Sequence, residues 1–356
     1  MANDAHLSVG SVTLIGSGEM SPGMSKIHRS LMSAIKDPLK PVFIDTPAGF
    51  QPNVRQISEK AVQYFKKHFG VNLTIASFRS ASEASEEETR RALAALKDAN
   101  YIFAGPGSPT YAVRNWENSL IIKAIRSRLS QGAHLVFASA ASIAIGAFAL
   151  PVYEIYKVGD SPRWANGLNF LEPFGYEPVI MPHWDNKEGG AHDTRFCYMG
   201  EARFKRLEDQ LPDDACIIGI DEYTALKMDL SQKQGMVMGA GKVTLKRRNT
   251  EIHFSAGELF DLTYLEKNGG RISIHNPEGT ARSSLNSSDS PFPESPEPAD
   301  GSSIEIPRPV VDFLVQIRSQ ARKEGKWGLA DEIRDKLTGW GVILRDGPSE
   351  TTWEKG

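Results

Sequence analysis

The chain has 356 residues, enough for one large or two ordinary domains. Apolar residues make up 40% and charged residues 24%, the balance of a globular protein that folds in water. A net charge of −3 excludes a global basic field for nucleic acid or anionic lipid, and no apolar run approaches the ~20 residues of a membrane span. The opening MANDAHLSVGS lacks the basic and apolar regions of a secretory signal, so a cytoplasmic location is expected. Cys197 and Cys216 offer neither a disulfide framework nor metal-ligand spacing, and read as packing residues in a reducing compartment.

In chain order, Val12-Thr13-Leu14-Ile15 reads as a buried strand ending in Gly16-Ser17-Gly18-Glu19. The wider dinucleotide fingerprint is absent, so this GSG reads as a tight turn. A helix follows around Lys26 to Ile35. Val42 to Asp45 makes a second strand, Gln56 to His68 a helix, and Leu73 to Ala76 a third strand. Ser85 and Glu88 have the spacing of a capping box, opening a helix whose buried face is Ala92, Leu93 and Leu96. Tyr101 to Ala104 is the next strand, followed by the loop Gly105-Pro106-Gly107-Ser108-Pro109. A helix from Ser119 to Leu129 leads to the strand Leu135-Val136-Phe137. This regular alternation predicts a mostly parallel sheet with helices on both faces. Sites in such sheets lie at the carboxyl ends of strands, where Gly16, Thr46, Gly105 and Ser139 all fall.

Ser139 sits where its strand runs into small residues that can start a helix, the arrangement of a nucleophile elbow. Such a turn lifts the hydroxyl above the sheet and aims the next backbone N–H at a developing oxyanion. The usual glycines two before and two after the serine are replaced by Phe137 and Ala141. Further on, Val179-Ile180-Met181 delivers Pro182-His183-Trp184-Asp185, then the polar loop Asn186 to Arg195. Ile217 to Ile220 ends in Asp221-Glu222-Tyr223. Met236–Met238, Val243–Leu245 and Glu251–Phe254 read as one meander at a sheet edge.

A hydroxyl nucleophile needs a base, and the base needs an orienting acid. His183 is the best placed base; His134 starts the Ser139 strand and lies at its wrong end, and His192 sits in a loop where it could contact substrate. Glu154 and Glu222 both stand as candidate acids. Lys187 and Arg195, near His183, could attract an acidic substrate group.

From about His275 to Pro307 the chain is dense in Ser, Pro and acidic residues and reads as a disordered linker. Beyond it, Phe313, Leu314 and Ile317 make one apolar stripe and Ala330, Ile333 and Leu337 a second, a helical hairpin closed by the short extended Trp340–Leu344. The expected organisation is an α/β domain over 1–274, a linker over 275–307 and a helical module over 308–356.

IGSGE, FAGPGSP, AIRSRLSQGAHLVFASAAS, MPHWDNKEGGAHDTR and GIDEYTAL stand in an order that resembles the dipeptidase E and cyanophycinase family of serine peptidases. The resemblance covers about Val12 to Phe254. It implies a class I glutamine amidotransferase-like fold, Ser139 as nucleophile, His183 as base, and backbone donors from Gly107 and Ala140 as the oxyanion hole. It suggests Glu154 as first choice of acid and Glu222 as second, a small peptide or related amide as substrate, and no cofactor or metal. Aspartyl-peptide specificity would use Arg195 and Lys187. The tail, with its W-x-x-AD-x-IRD-x-L, G-V-x-L-x-D and final T-W pieces, resembles the C-terminal segment of cysteinyl-tRNA synthetases. It implies tRNA or a synthetase-related protein as partner, while none of the synthetase catalytic motifs occurs. Two readings follow: a serine hydrolase, or a non-catalytic binding protein with a degenerate elbow. A hydrolase acting on an aminoacyl-tRNA combines them, and homo-oligomerisation is left open.

Overall fold

Five short apolar runs build the centre of the molecule: β1 (Ser11–Ile15), β2 (Pro41–Ile44), β3 (Thr74–Ala76), β4 (Tyr101–Ala104) and β5 (His134–Ala138). They pair in parallel in the order β1-β5-β4-β2-β3. The computed structural model describes residues 9–36, 38–248 and 250–266, with 311, 314–316, 318, 319, 333, 334, 337, 342–346 and 351–355. Alternation along these strands feeds two cores, one on each face of the sheet. Leu14, Ile44, Ile102 and Phe137 enter one; Ile15, Phe43, Phe103 and Val136 enter the other.

The crossovers are helical: α1 (Ser25–Ser33), α2 (Val54–Phe69), α3 (Glu86–Leu96), α4 (Pro109–Trp116) and α5 (Leu120–Ser130). Their ends follow local chemistry. Ser85 caps α3 in a reciprocal box with Glu88, and Gly70 closes α2 at φ +70°. The short α6 (Ala140–Ala144) follows β5 directly.

The remaining strands are β6 (Phe148–Ala149), β7 (Ala165–Asn166), β8 (Val179–Met181), β9 (Ile217–Ile220), β10 (Thr224–Asp229), β11 (Gln234–Gly239), β12 (Lys242–Arg247), β13 (Thr250–Ser255) and β14 (Leu259–Asp261). Helix α7 (Gly200–Glu208) lies between β8 and β9. Strands β10, β11 and β14 extend the parallel core into an eight-stranded sheet through antiparallel pairings. A second sheet has the order β13-β12-β9-β8, with β8 and β9 parallel.

This second sheet corrects the expected single meander. Met236–Met238 belongs to β11 of the large sheet, whereas Val243–Leu245 and Glu251–Phe254 pair as β12 and β13 of the small one. The turn at Gly239 (φ +111°) redirects the chain between sheets, and β9 gains β12 as its antiparallel partner, Ile220 opposite Val243. Gly219 of β9 has a packing reason: a Cβ there would lie 2.4 Å from the Trp184 ring.

The chain divides into two compact units, Met1–Ile274 and His275–Gly356. In the second, Val311, Val315, Ile333, Leu337 and Val342 form a small core, and β15 (Val342–Asp346) pairs antiparallel with β16 (Thr351–Lys355). The short extended piece expected near Trp340–Leu344 is thus one arm of a hairpin. The linker read over 275–307, and Phe313, Ile317 and Ala330 of the expected stripes, lie outside the described residues.

Candidate active site

Ser139 occupies the first position after β5 and the N-cap of α6, with φ +51° and ψ −116°. A non-glycine residue held there stores strain, which a packed surrounding must impose. Ser139 N–H donates to Ile15 O at 3.0 Å, and Ser142 Oγ–H donates to Phe137 O at 2.6 Å. Phe137 is buried edge-on to Trp116 and Phe170, in the same core as Ala141, Ile143 and Ala144 of α6. The bulk that replaces a glycine is therefore taken up by the core on the α6 side of the sheet.

His183 follows β8 and Glu222 follows β9, two parallel neighbours of the small sheet. His183 also has positive φ, +52°. Ser139 Oγ lies 3.0 Å from His183 Nε2, and His183 Nδ1 lies 3.0 Å from Glu222 Oε1. A carboxylate accepts only, so Nδ1 carries the ring proton and Nε2 is left to accept from the serine hydroxyl. The hydrogen bond from His183 chiefly holds the Glu222 carboxyl below its ordinary pKa, against the opposing effect of burial. Asn186 Nδ2–H adds a second donor to the same Oε1 at 2.8 Å, and Asp185 Oδ1 accepts the Glu222 backbone N–H at 2.7 Å.

Glu154, first choice of acid from the sequence, stands elsewhere. Its Oε1 accepts the Thr110 hydroxyl at 2.6 Å, and the histidine takes Glu222 instead. The physical reason is topological: adjacent parallel strands end at the same level, whereas Glu154 opens a helical turn after β6.

Ser139 and His183 line a cavity of about 330 Å³ together with Gly107, Ala140, Tyr153 and Tyr198. Gly107 has φ +151°, and a Cβ there would lie 1.9 Å from Pro47 O, so only glycine fits this loop. Ala140 N–H belongs to the first turn of α6, where helical amides lack intrahelical acceptors. Both backbone groups thus share the wall with the serine. The three side chains expected to bind substrate do not line this cavity. Arg195 is tied to Asp193 and Glu201 at 2.8 and 2.7 Å and faces a different recess; Lys187 and His192 are exposed on the loop.

Several neighbours were not singled out by sequence. Tyr198 packs its ring 5.3 Å from that of His183, and its hydroxyl donates to Glu188 at 3.0 Å. It belongs to a run, Phe196-Cys197-Tyr198, in which every φ is positive. Glu19 is buried beneath the site, and burial pushes its carboxyl upward. The Cys197 thiol is pushed up to about 12 by burial, which makes it a poor nucleophile despite its place on the wall. His134 meets Ser11 at 2.7 Å, at the opposite end of β5. No cluster of three or more metal-ligating side chains occurs among the described residues, and no helix among them is long and apolar enough to cross a membrane.

The first compact unit is an α/β body and the chain carries a second unit after it, and the chain resembles known proteins in both parts. A peptidase from an acI-B1 Actinobacterium superposes with a TM-score of 0.59 at 23% identity, covering 72% of this chain and 98% of that one; this likeness establishes the shared fold. A candidate peptidase E from Listeria monocytogenes EGD-e covers 70% of this chain and 99% of that one at 12% identity, with a TM-score of 0.42. Residues 309–353 match the cysteinyl-tRNA ligase anticodon binding domain. On this stretch the cysteine–tRNA ligase of Sodalis glossinidius (strain morsitans) is 52% identical over 46 residues, 13% of this chain and 10% of the ligase. That of Treponema denticola is 46% identical over 56 residues, 16% of this chain and 11% of the ligase. The chain thus spans about a tenth of the length of the curated relatives it matches.

Proposed function

We propose that the chain is a serine hydrolase acting on a small peptide or related amide, with Ser139 as nucleophile, His183 as base and Glu222 as acid. One observation carries this reading: the unbroken hydrogen-bond chain Ser139–His183–Glu222, begun by a strained serine at a strand-to-helix turn. Ser139 Oγ attacks the carbonyl carbon while His183 Nε2 takes its proton. The imidazolium formed is stabilised by Glu222, which stays ionised and keeps the ring in one tautomer. The carbonyl oxygen becomes an oxyanion facing the Gly107 and Ala140 N–H groups, where each donor is worth about 10²–10³ in rate. His183 then returns the proton to the leaving amine. Water, activated by the same histidine, releases the acyl group from Ser139 and restores the hydroxyl.

Intact-mass measurement after a serine-reactive phosphonofluoridate tests the reading. A single adduct is expected on the native protein, lost in Ser139→Ala and in His183→Ala. A folded native protein that takes no adduct overturns it. The match over 309–353 favours a second, compatible role for the tail, contact with tRNA or a synthetase-related protein in the cytoplasm. Salt-dependent retention of tRNA by the full chain supports that role, and no retention at low salt removes the tRNA reading.

A further inference from the structure

The Ser139 cavity has a wall that the proposed reaction leaves unused. Tyr153, Tyr156 and Tyr198 line it, together with Ile143 and Val152. Tyr198 stands between two other rings, 5.3 Å from His183 and 5.4 Å from Tyr156, centroid to centroid. The rings thus run in a row from His183 outward. Tyr153 and Tyr156 keep 38% and 36% of their surface open. Scattered open rings need no explanation, but these converge on one cavity beside the serine. At about 330 Å³ the cavity is at the small end of ligand sites.

The wall is fixed by its local structure. Tyr153 caps and Tyr156 belongs to a single π-type turn, Glu154–Val158, a rare geometry that recurs at functional sites. Ile155 of this turn is fully buried, Glu154 Oε1 accepts the Thr110 hydroxyl at 2.6 Å, and Gly159 closes the turn at φ +92°. Rings held in place beforehand cost little ordering when a ligand arrives. The charges of the cavity are few and offset each other. Lys157 and Glu188 supply one of each sign, and both are exposed. Glu188 accepts the Tyr198 hydroxyl at 3.0 Å, and the Lys157 ammonium lies 4.8 Å from the Tyr156 centroid. Burial pushes the Tyr153 and Tyr198 phenols upward, so neither adds a charge. A charged side chain seated against these rings would give up water and meet no buried counter-ion among the lining residues. An aromatic side chain would lose only its contact with water and gain ring-to-ring contacts.

We propose that this tyrosine wall selects the substrate, taking an uncharged aromatic side chain from a residue beside the bond that is cut and packing it against Tyr156 and Tyr198. The inference rests on the serine-hydrolase reading for the bond that is cut. It replaces the acidic specificity expected of Arg195 and Lys187, neither of which lines the Ser139 cavity.

The test compares kcat/KM for two sets of dipeptides, one varied before the peptide bond and one after it, with alanine as the constant partner. The varied residue is phenylalanine, leucine, aspartate or lysine. In one of the two sets phenylalanine should lead aspartate and lysine by about tenfold, the low end of what burying a phenyl ring gives. It should lead leucine by about threefold, the size of an aromatic pair contact. The set that shows the lead assigns the side of the bond. Tyr156→Ala should reduce the lead over aspartate below about threefold, and Tyr156→Phe should keep it, because the ring and not the hydroxyl makes the contact. Equal rates in both sets, a lead for leucine, aspartate or lysine, or a phenylalanine lead that survives Tyr156→Ala would each overturn the proposal.

A separate arm needs no catalysis. Calorimetry on full-length Ser139→Ala should show acetylphenylalanine methylamide binding about tenfold more tightly than acetylaspartate methylamide. Adding Tyr156→Ala should erase the difference. Equal affinities overturn the aromatic wall even if Ser139 proves reactive. A difference here without any phosphonofluoridate adduct on native protein keeps the wall as a binding site and removes the hydrolase reading.

Discussion

Asn186 is 1% exposed, and each of its polar groups serves the site. Its amide nitrogen donates to the same Glu222 oxygen that takes the His183 proton, its side-chain oxygen accepts the Glu188 N–H at 3.1 Å, and its carbonyl accepts from Thr194. Asn186→Ala should lower kcat/KM by about tenfold while leaving KM for a small ester nearly unchanged, because the loss falls on how firmly the acid is held. Removing this donor also raises the Glu222 pKa, which carbon-13 NMR titration of the carboxyl should read as a midpoint moved to higher pH. A lowered rate with the Glu222 midpoint unmoved would show that Asn186 only supports the loop. Ser139 and His183 were legible in the sequence because each ends an apolar run. The choice between Glu154 and Glu222 was not legible, since it depends on which strands lie side by side. Reading GIDE as a strand whose carboxyl end meets that of VIM would have favoured Glu222.

At the scale of elements, helix α3 and helix α1 make different demands. Ser85 and Glu88 exchange hydrogen bonds at the exposed start of α3, so Ser85→Ala should cost about 1 kcal/mol in urea unfolding without touching the site. Buried His28 of α1 lies between Tyr101 Oη at 2.6 Å and Glu19 O at 2.7 Å. The carbonyl can only accept, so Nε2 carries the proton and Nδ1 accepts from the tyrosine. Burial lowers the His28 pKa to about 4, against an ordinary value of 6.5. The unfolded chain therefore binds a proton between pH 6.5 and 4 that the folded one does not. Stability from this ring is complete above pH 6.5 and falls as pH drops towards 4, by up to about 3 kcal/mol. NMR titration of His28 should show a neutral ring at pH 5; a midpoint near 6.5 would contradict this. The capping box and the parallel strands could be read directly because each depends on neighbours in sequence. The small sheet could not, because β12 alternates like any edge strand and only β9, across the chain, decides where it pairs.

At the scale of the whole molecule, Ser139 and His183 belong to different sheets. Ser139 leaves the eight-stranded sheet, whereas His183 and Glu222 leave the four-stranded one. A 3.0 Å contact between side chains mounted on separate sheets works as a caliper across the interior. Small slippage between the layers would open it long before either sheet lost its own hydrogen bonds. In rising urea, phosphonofluoridate labelling of Ser139 should therefore fade at lower concentration than the far-ultraviolet dichroism. Coincident curves would mean that the two layers part only when the whole body unfolds. Reactivity would then gauge a mechanical looseness that no measure of secondary structure registers.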